Sequence, residues 1–351
     1  MEIRIYNPDL YRIGQVENQT SLIWTRKFFE AGNFEIHAPI TPKNLELFVK
    51  GNIVSIKGAK EAGVIEDLEK EESDIKNEIT VKGRFLSSYT DRRVIHGTVN
   101  YDNAKIEVVM RELLTACAPI PLVELGTLHG FDDRVSFQAT YRNLQVVLTK
   151  IAKFGLIGYR FTPDFDEHKI VFDTMKGVDH SFAQSTNNRV IFSEDYNNLT
   201  NAIYKFNDQA LKTVAIVGGQ GEGDQRVVVT VGTGSGLALR EVFVDARDLS
   251  PEDLTAAQYK EVLKQRGYEA LQEAIEAESL ECETAPSINF TYKSDYDLGD
   301  IVTVKKKSWG LYMNKRITEI QEVYEYGGGY VVPTLGDPLP ETIDWGELKN
   351  E

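Results

Sequence analysis

SLIWTRKFFEAGNFEIHAPI, residues 21–40, is the stretch that decides the fold class of this chain. Its two apolar runs are rich in aromatic and β-branched residues, and Glu30-Ala31-Gly32-Asn33 separates them with a glycine able to supply a positive φ. It reads as a β-hairpin. Strand patterns surround it on both sides. Met1, Ile3 and Ile5 alternate with polar residues until Asn7-Pro8-Asp9 stops the run. Residues 52–57 (NIVSIK), 62–68 (AGVIEDL) and 77–83 (NEITVKG) add further strands, the last two joined by the charged tip EKEESDIKN at 69–77. Residues 1–100 are therefore expected to form one barrel-like β-unit.

The pattern changes near residue 103. Asn103 is expected to cap a helix over 104–117, whose Ile106, Val109, Met110, Leu113 and Leu114 share one face at helical spacing. A second helix is expected over 142–154, with Asn143 near its start and Gly155 at its end. Strands at 158–161 and 169–173 follow, linked by Asp164-Phe165-Asp166-Glu167-His168. Residues 101–185 thus read as a small α+β unit. From Arg189 the β character returns, punctuated by two glycine-rich links at 218–223 and 232–236. Ser250-Pro251-Glu252-Asp253 has the composition of a helix start, and a long helix is expected to run from there to about 281, loosened at Gly267. The remaining residues are again β, ending in a Pro- and acid-rich tail at 338–351 expected to be flexible. The fold class expected is a β-rich, multidomain α+β protein.

Composition removes several functions. At 351 residues the chain exceeds one ordinary domain of about 150 residues. Hydrophobic residues at 42% and charged residues at 26% match a folded globular protein. The 39 Lys and Arg against 54 Asp and Glu leave a net charge of −15, which argues against a large phosphate-neutralising surface. Two cysteines, Cys117 and Cys282, are too few for a disulfide framework, and both have helical-looking surroundings. No secretory signal or membrane-spanning run is expected.

Chemical motifs are sparse. Neither glycine-rich link has the spacing of a phosphate loop, and each precedes a β-run rather than a helix, so both read as hairpin turns. His37, His96, His129, His168 and His180 show no metal-ligand spacing, and the Asp164, Asp166, Glu167, His168 cluster lacks the glycine and terminal glutamate of a calcium loop. Gly232-Thr233-Gly234-Ser235-Gly236 has the wrong register for a nucleophile elbow, and Cys117 has no nearby histidine. Arg84, Arg92 and Arg93 either grip an acidic partner or pair with neighbouring carboxylates, and Lys305-Lys306-Lys307 reads as a solvated hairpin tip.

The run Leu22-Ile23-Trp24-Thr25-Arg26 with Phe28, followed by Gly32-Asn33-Phe34-Glu35-Ile36, resembles the opening of the siphovirus tail-hub, or baseplate hub, proteins of phages and prophages of Gram-positive bacteria. The similarity continues through Gly51–Val54, Gly63–Glu66, Lys82–Leu86, Asp91–Arg93, Arg189–Ser193, Arg240–Leu249 and Tyr296–Val302, and spans residues 1 to about 337. The resemblance implies a structural virion protein similar to contractile-phage baseplate hubs, with two tail-tube-like β-barrel domains at 1–100 and at 186–230 with 285–337. The α+β domain at 101–185 and an insertion with the long helix at 231–284 would complete it. It further implies a homotrimer closing the tail tube around a central channel, with distal tail, tail-tube, tape-measure and tail-tip or fibre proteins as partners. DNA would only pass through the channel. The protein would reside in the virion tail after assembly in the host cytoplasm, without inserting into a membrane. No catalytic, cofactor-binding or metal-binding residues are expected, and a chain running out at Glu351 leaves no room for an appended wall-degrading module. An acidic channel wall would let DNA slide without sticking. A cell-wall hydrolase using paired carboxylates and a host-surface carbohydrate-binding module are the alternatives.

Overall fold

The computed structural model describes residues 2–73, 77–252, 254–274, 277–283, 289–325 and 328–336, so Asp253, the tip residues 74–76 and the tail at 338–351 lie outside it. The hairpin is present: Ser21–Lys27 and Asn33–Pro39 pair antiparallel, with Ser21 opposite His37 and Thr25 opposite Asn33. Alternation puts Leu22, Trp24, Phe34 and Ile36 on one fully buried face. Trp24 lies 4.5 Å from the Phe85 ring centroid and 5.8 Å from that of Phe34. Phe34 in turn covers two glycines. A Cβ on Gly63 or Gly83 would fall 2.5 or 2.8 Å from its ring, so the aromatic seats only where those side chains are absent.

Outward from the hairpin, Asn33–Pro39 pairs with Asn77–Phe85, and the sheet continues through Ala62–Glu72, Ile53–Ile56 and Ile3–Tyr6 to Arg12–Val16. On the other edge, Ser21–Lys27 pairs with Leu311–Glu325, from Lys27 opposite Glu319 to Ser21 opposite Glu325. That long strand leads on through Gly328–Gly336 and Ala277–Glu283 to Thr200–Asn207. Ile301–Lys306 and Ile191–Ser193 branch from it, giving one sheet of 13 strands. The expectation of two tube-like barrels is corrected here: among the described residues no barrel closes. Ser21–Lys27 uses its outer edge to bind the C-terminal β-region, so the strand path stays open from Thr200–Asn207 to Arg12–Val16.

Between these strands lies the mixed region. Helix Leu144–Gly155 forms as expected, with the Asn143 side chain accepting from the Val146 amide. The first helix is shorter than expected, Ile106–Thr115, because residues 98–105 are claimed by a strand pairing with Arg134–Thr140. Asn103 sits inside that strand with φ 47° and caps nothing. Hairpin Gly158–Asp164 with Lys169–Met175 packs Tyr159, Phe161 and Phe172 into the same core.

A third core forms where Val214–Gly218, Val228–Gly232 and Glu241–Asp245 lie against helix Ala256–Glu273. The helix starts five residues later than expected from Ser250, at the Thr255 cap, where Thr255 and Gln258 complete a reciprocal capping box. It ends at Glu273, before strand Ala277–Glu283, which takes Cys282 out of the helical context expected of it. Gly267 does not loosen the helix. A Cβ there would meet the Val231 side chain at 2.5 Å, so the glycine lets helix and sheet touch. The link at 218–223 is the expected hairpin turn, whereas the one at 232–236 carries the chain across to the far edge of the small sheet, where Glu241–Asp245 runs parallel to Val214–Gly218.

Candidate functional site

The residues weighed for chemistry are dispersed, and most of them are held by structural partners. His37 lies 2.8 Å from Glu35 and 3.2 Å from Glu78, His129 lies 2.8 Å from Asp173, and His180 lies 3.7 Å from Asp300. His168 stacks on Tyr11, and the His96 amide donates to the Ala116 carbonyl. Asp164 accepts the amides of Asp166 and Glu167, closing a turn. Among the described residues, no group of three or more His, Cys, Asp or Glu is placed to hold a metal ion, and no helix is long and apolar enough to cross a membrane. Burial pushes the Cys282 thiol up to about 12 and also raises Cys117, which leaves both poor nucleophiles.

The basic cluster resolves toward neighbouring carboxylates. Glu66 receives Arg84 at 2.8 Å and Arg92 at 2.9 Å, and Arg84 also meets Asp91 at 2.9 Å, while Arg93 donates to the Ala118 and Pro119 carbonyls. Lys305, Lys306 and Lys307 lie at a hairpin tip as expected, but they are not simply solvated. Lys306 bonds Glu194 at 2.5 Å, Lys305 and Lys307 reach Asp195 at 3.6 and 2.8 Å, and the Lys306 ammonium stands 4.5 Å from the Trp309 ring centroid.

Two features joining the N- and C-terminal β-regions escaped the sequence reading. The first is centred on Arg26, which is only 3% exposed. Its Nε and Nη2 donate to Glu61 Oε1 at 3.0 and 2.9 Å, and its Nη1 donates to Asp297 Oδ1 at 2.5 Å and to the Tyr292 hydroxyl at 2.8 Å. Tyr292 passes the chain on to Glu322 at 2.9 Å, which Lys293 also meets. Burial disfavours the Arg26 charge, yet Glu61, Tyr292 and Asp297 outweigh it and hold its pKa well above the ordinary value. A signal for this was present: Arg26 follows Leu22 and Trp24 at the two-residue period, on the inward face of its strand. Beside it, the fully buried Phe28 ring packs where a Cβ on Gly158 or Gly299 would sit, 2.7 or 2.2 Å away. Gly299 also has φ 94°, which a side chain would strain.

The second feature is the opposite face of the sheet. Paired residues on antiparallel strands share a face, so the registers place Asp67 beside Lys82, Lys82 beside Glu35, and Glu35 beside Ile23. Glu69 and Thr80, Glu71 and Glu78, Lys27 and Glu319, and Ser21 and Glu325 fall on that same face. There the acids outnumber Lys27, Lys82 and Arg84, across strands from both β-regions.

No curated protein matches the chain. Solved structures share its fold along nearly the whole length. A tail protein from Neisseria meningitidis MC58 superposes with a TM-score of 0.63 at 12% identity, covering 96% of each chain. The 43 kDa tail protein of prophage MuSo2 from Shewanella oneidensis gives 0.60 at 14% identity, covering 96% of this chain and 99% of that one. Prophage tail protein gp18 from Listeria monocytogenes EGD-e gives 0.56 at 12% identity, covering 97% and 96%. The sequence resemblance to phage tail proteins therefore holds in fold, and its extent agrees with a family model that matches residues 2–337. By that match the chain belongs to the Siphovirus ReqiPepy6 Gp37-like protein family.

Proposed function

We propose that this protein is a structural component of a phage or prophage tail, acting as the hub that closes the tail tube and links it to the tail-tip proteins. The observation that carries this reading is the family match over residues 2–337. In the proposed particle three copies surround a channel, and the acid-rich sheet face lines it, so that DNA is repelled from the wall as it passes. Two β-parts, 1–100 and 186–230 with 285–337, joined in one open sheet rather than closed as separate barrels, would take two positions of a pseudo-sixfold ring in each copy, with the α+β part at 101–185 and the insertion at 231–284 completing the subunit. The partners would be distal tail, tail-tube, tape-measure and tail-tip or fibre proteins. The host would be Gram-positive, with assembly in its cytoplasm, and the protein's work would be mechanical rather than enzymatic.

The test is to tag the gene in its resident phage or prophage and image labelled particles by cryo-electron microscopy. Label at the distal end of the tail tube, with density for three copies, is the expected result. Particles with complete tails but no label would overturn the hub assignment, as would release of soluble sugar or peptide from peptidoglycan by the purified protein.

A further inference from the structure

Beside the first strand of the large sheet lies a cleft of about 630 Å3 that none of the preceding features uses. Arg4, Tyr6 and Lys60 line one side, and Arg160, Thr162 and Asp173 of the Gly158–Met175 hairpin line the other. That volume suits a small organic molecule. The stacked rings of Tyr6 and Phe165, 3.7 Å between centroids, contribute an apolar part of the lining.

The charged groups in this cleft are unequally satisfied. Arg160 stands opposite Asp173 in the strand register, yet its Nη2 reaches Asp173 Oδ2 only at 3.3 Å. The other Asp173 oxygen is engaged by His129 Nε2 at 2.8 Å. The Arg160 Nε is buried and has no hydrogen-bond partner among the described residues. A guanidinium carries five N–H donors in a rigid fork matched to carboxylate and phosphate, and this one uses a single long bond. Lys60, exposed at the cleft, enters no ion pair among the described residues, whereas Arg4 is held by Glu2 at 2.7 Å. Of the lining acids, Asp164 has an oxygen committed to its turn and Asp173 is committed through both oxygens, leaving Asp166 exposed. Beside the acceptors left on Asp166 and on the second Asp164 oxygen, the cleft therefore holds uncommitted donors on Arg160 and Lys60.

We propose that this cleft binds a small organic oxyanion, whose phosphate or carboxylate group is taken by the Arg160 fork with Lys60 as the second cation. This proposal does not depend on the tail assignment. Calorimetric titration of the full chain with phenyl phosphate and, separately, with benzoate at low ionic strength tests it and distinguishes the two oxyanions. Saturable binding of either probe is expected, weakened about tenfold or more by Arg160→Gln. Lys60→Gln should weaken it severalfold, and Arg142→Gln, whose partner is Asp248, should not change it. Arg160→Gln removes a cross-strand partner, so its melting is compared with the unmodified protein; should it fail to fold, the exposed Lys60→Gln variant decides. Absence of saturable binding by both probes overturns the proposal. So does binding that survives unchanged in the folded variants.

Discussion

Replacing Arg26 with methionine is expected to destabilise the protein by about 3–5 kcal/mol, the cost of stranding the remaining partner of a buried ion pair. The structure shows where that cost arises. Glu61 has a side chain only 7% exposed and accepts two guanidinium bonds at 2.9 and 3.0 Å, so without Arg26 it is a buried carboxylate lacking its cation. Each charge-assisted bond is worth about 1.5–3 kcal/mol. Asp297, at 36% side-chain exposure, is partly compensated by water and adds less. Methionine keeps most of the arginine stem volume, which separates lost charge from lost packing. Glu61→Leu alone should cost a similar amount by stranding the cation. The double variant should be closer to the unmodified protein than the two single losses added together. Urea unfolding measures this, followed by Trp24 fluorescence after Trp309 and Trp345 are replaced with phenylalanine, so that the signal reports the sheet containing Arg26. A loss below about 1 kcal/mol for Arg26→Met, or strict additivity in the cycle, would refute the reasoning.

Phe28→Ala should cost about 3–5 kcal/mol, because the ring fills the space between Gly158 and Gly299 and leaves a cavity; a thermal-melting shift within error would count against that packing role. Glu107, 1% exposed, accepts the amides of His129, Gly130 and Phe131 and the Thr174 hydroxyl. Burial works to raise its carboxyl, but these donors outweigh burial and hold it below the usual range. Its stabilising effect is therefore complete above the unfolded value of about 4.3 and disappears as pH falls through the lower folded value, so Glu107→Gln should flatten the acid limb of a stability-against-pH curve. Lys306 and Ser308 hold the half-buried Glu194 carboxyl at about 2, and Lys306→Met should move the Glu194 titration, read by carboxyl-carbon NMR, toward about 4.3.

Local pattern was enough wherever structure is local. The 21–40 hairpin, the Asn143 cap and the polar turn at Asp164 follow from spacing and turn chemistry, and all appear. Two neighbouring start signals competed for the long helix, and the Thr255/Gln258 capping box set its first turn. Helical spacing in 106–114 was genuine, but it could not reveal that the preceding residues pair with a strand some thirty positions later. The larger gap has the same origin. Nothing in SLIWTRK names its outer neighbour, because a half-buried strand presents similar hydrogen-bonding edges to any partner. Lys27 meets Glu319 only through the assembled sheet. The pairing of Arg84 and Arg92 with Glu66 was one of the alternatives posed by the sequence, whereas the bonds from Arg26 to Asp297 depend on that long-range pairing and could not be read before it was known.

The position of the Arg26 cluster bears on how that long-range pairing finds its register. Two antiparallel strands shifted by two residues keep their buried and exposed faces, so apolar alternation along Leu22–Arg26 and Ile320–Tyr324 tolerates such a slip. The cluster does not tolerate it. Arg26 stands opposite Ile320 and reaches Glu61 and Asp297 from there, while Glu322, opposite Trp24, takes Tyr292. Moving either strand by two residues would separate these partners inside a face that offers little water to replace them. The Arg26→Met/Glu61→Leu variant is thus expected to keep most of its stability while losing discrimination between registers. A second set of amide signals for Ser21–Lys27 and for 319–325 would report that loss, and a single set at full stability would show that packing around Trp24 and Phe34 fixes the register alone.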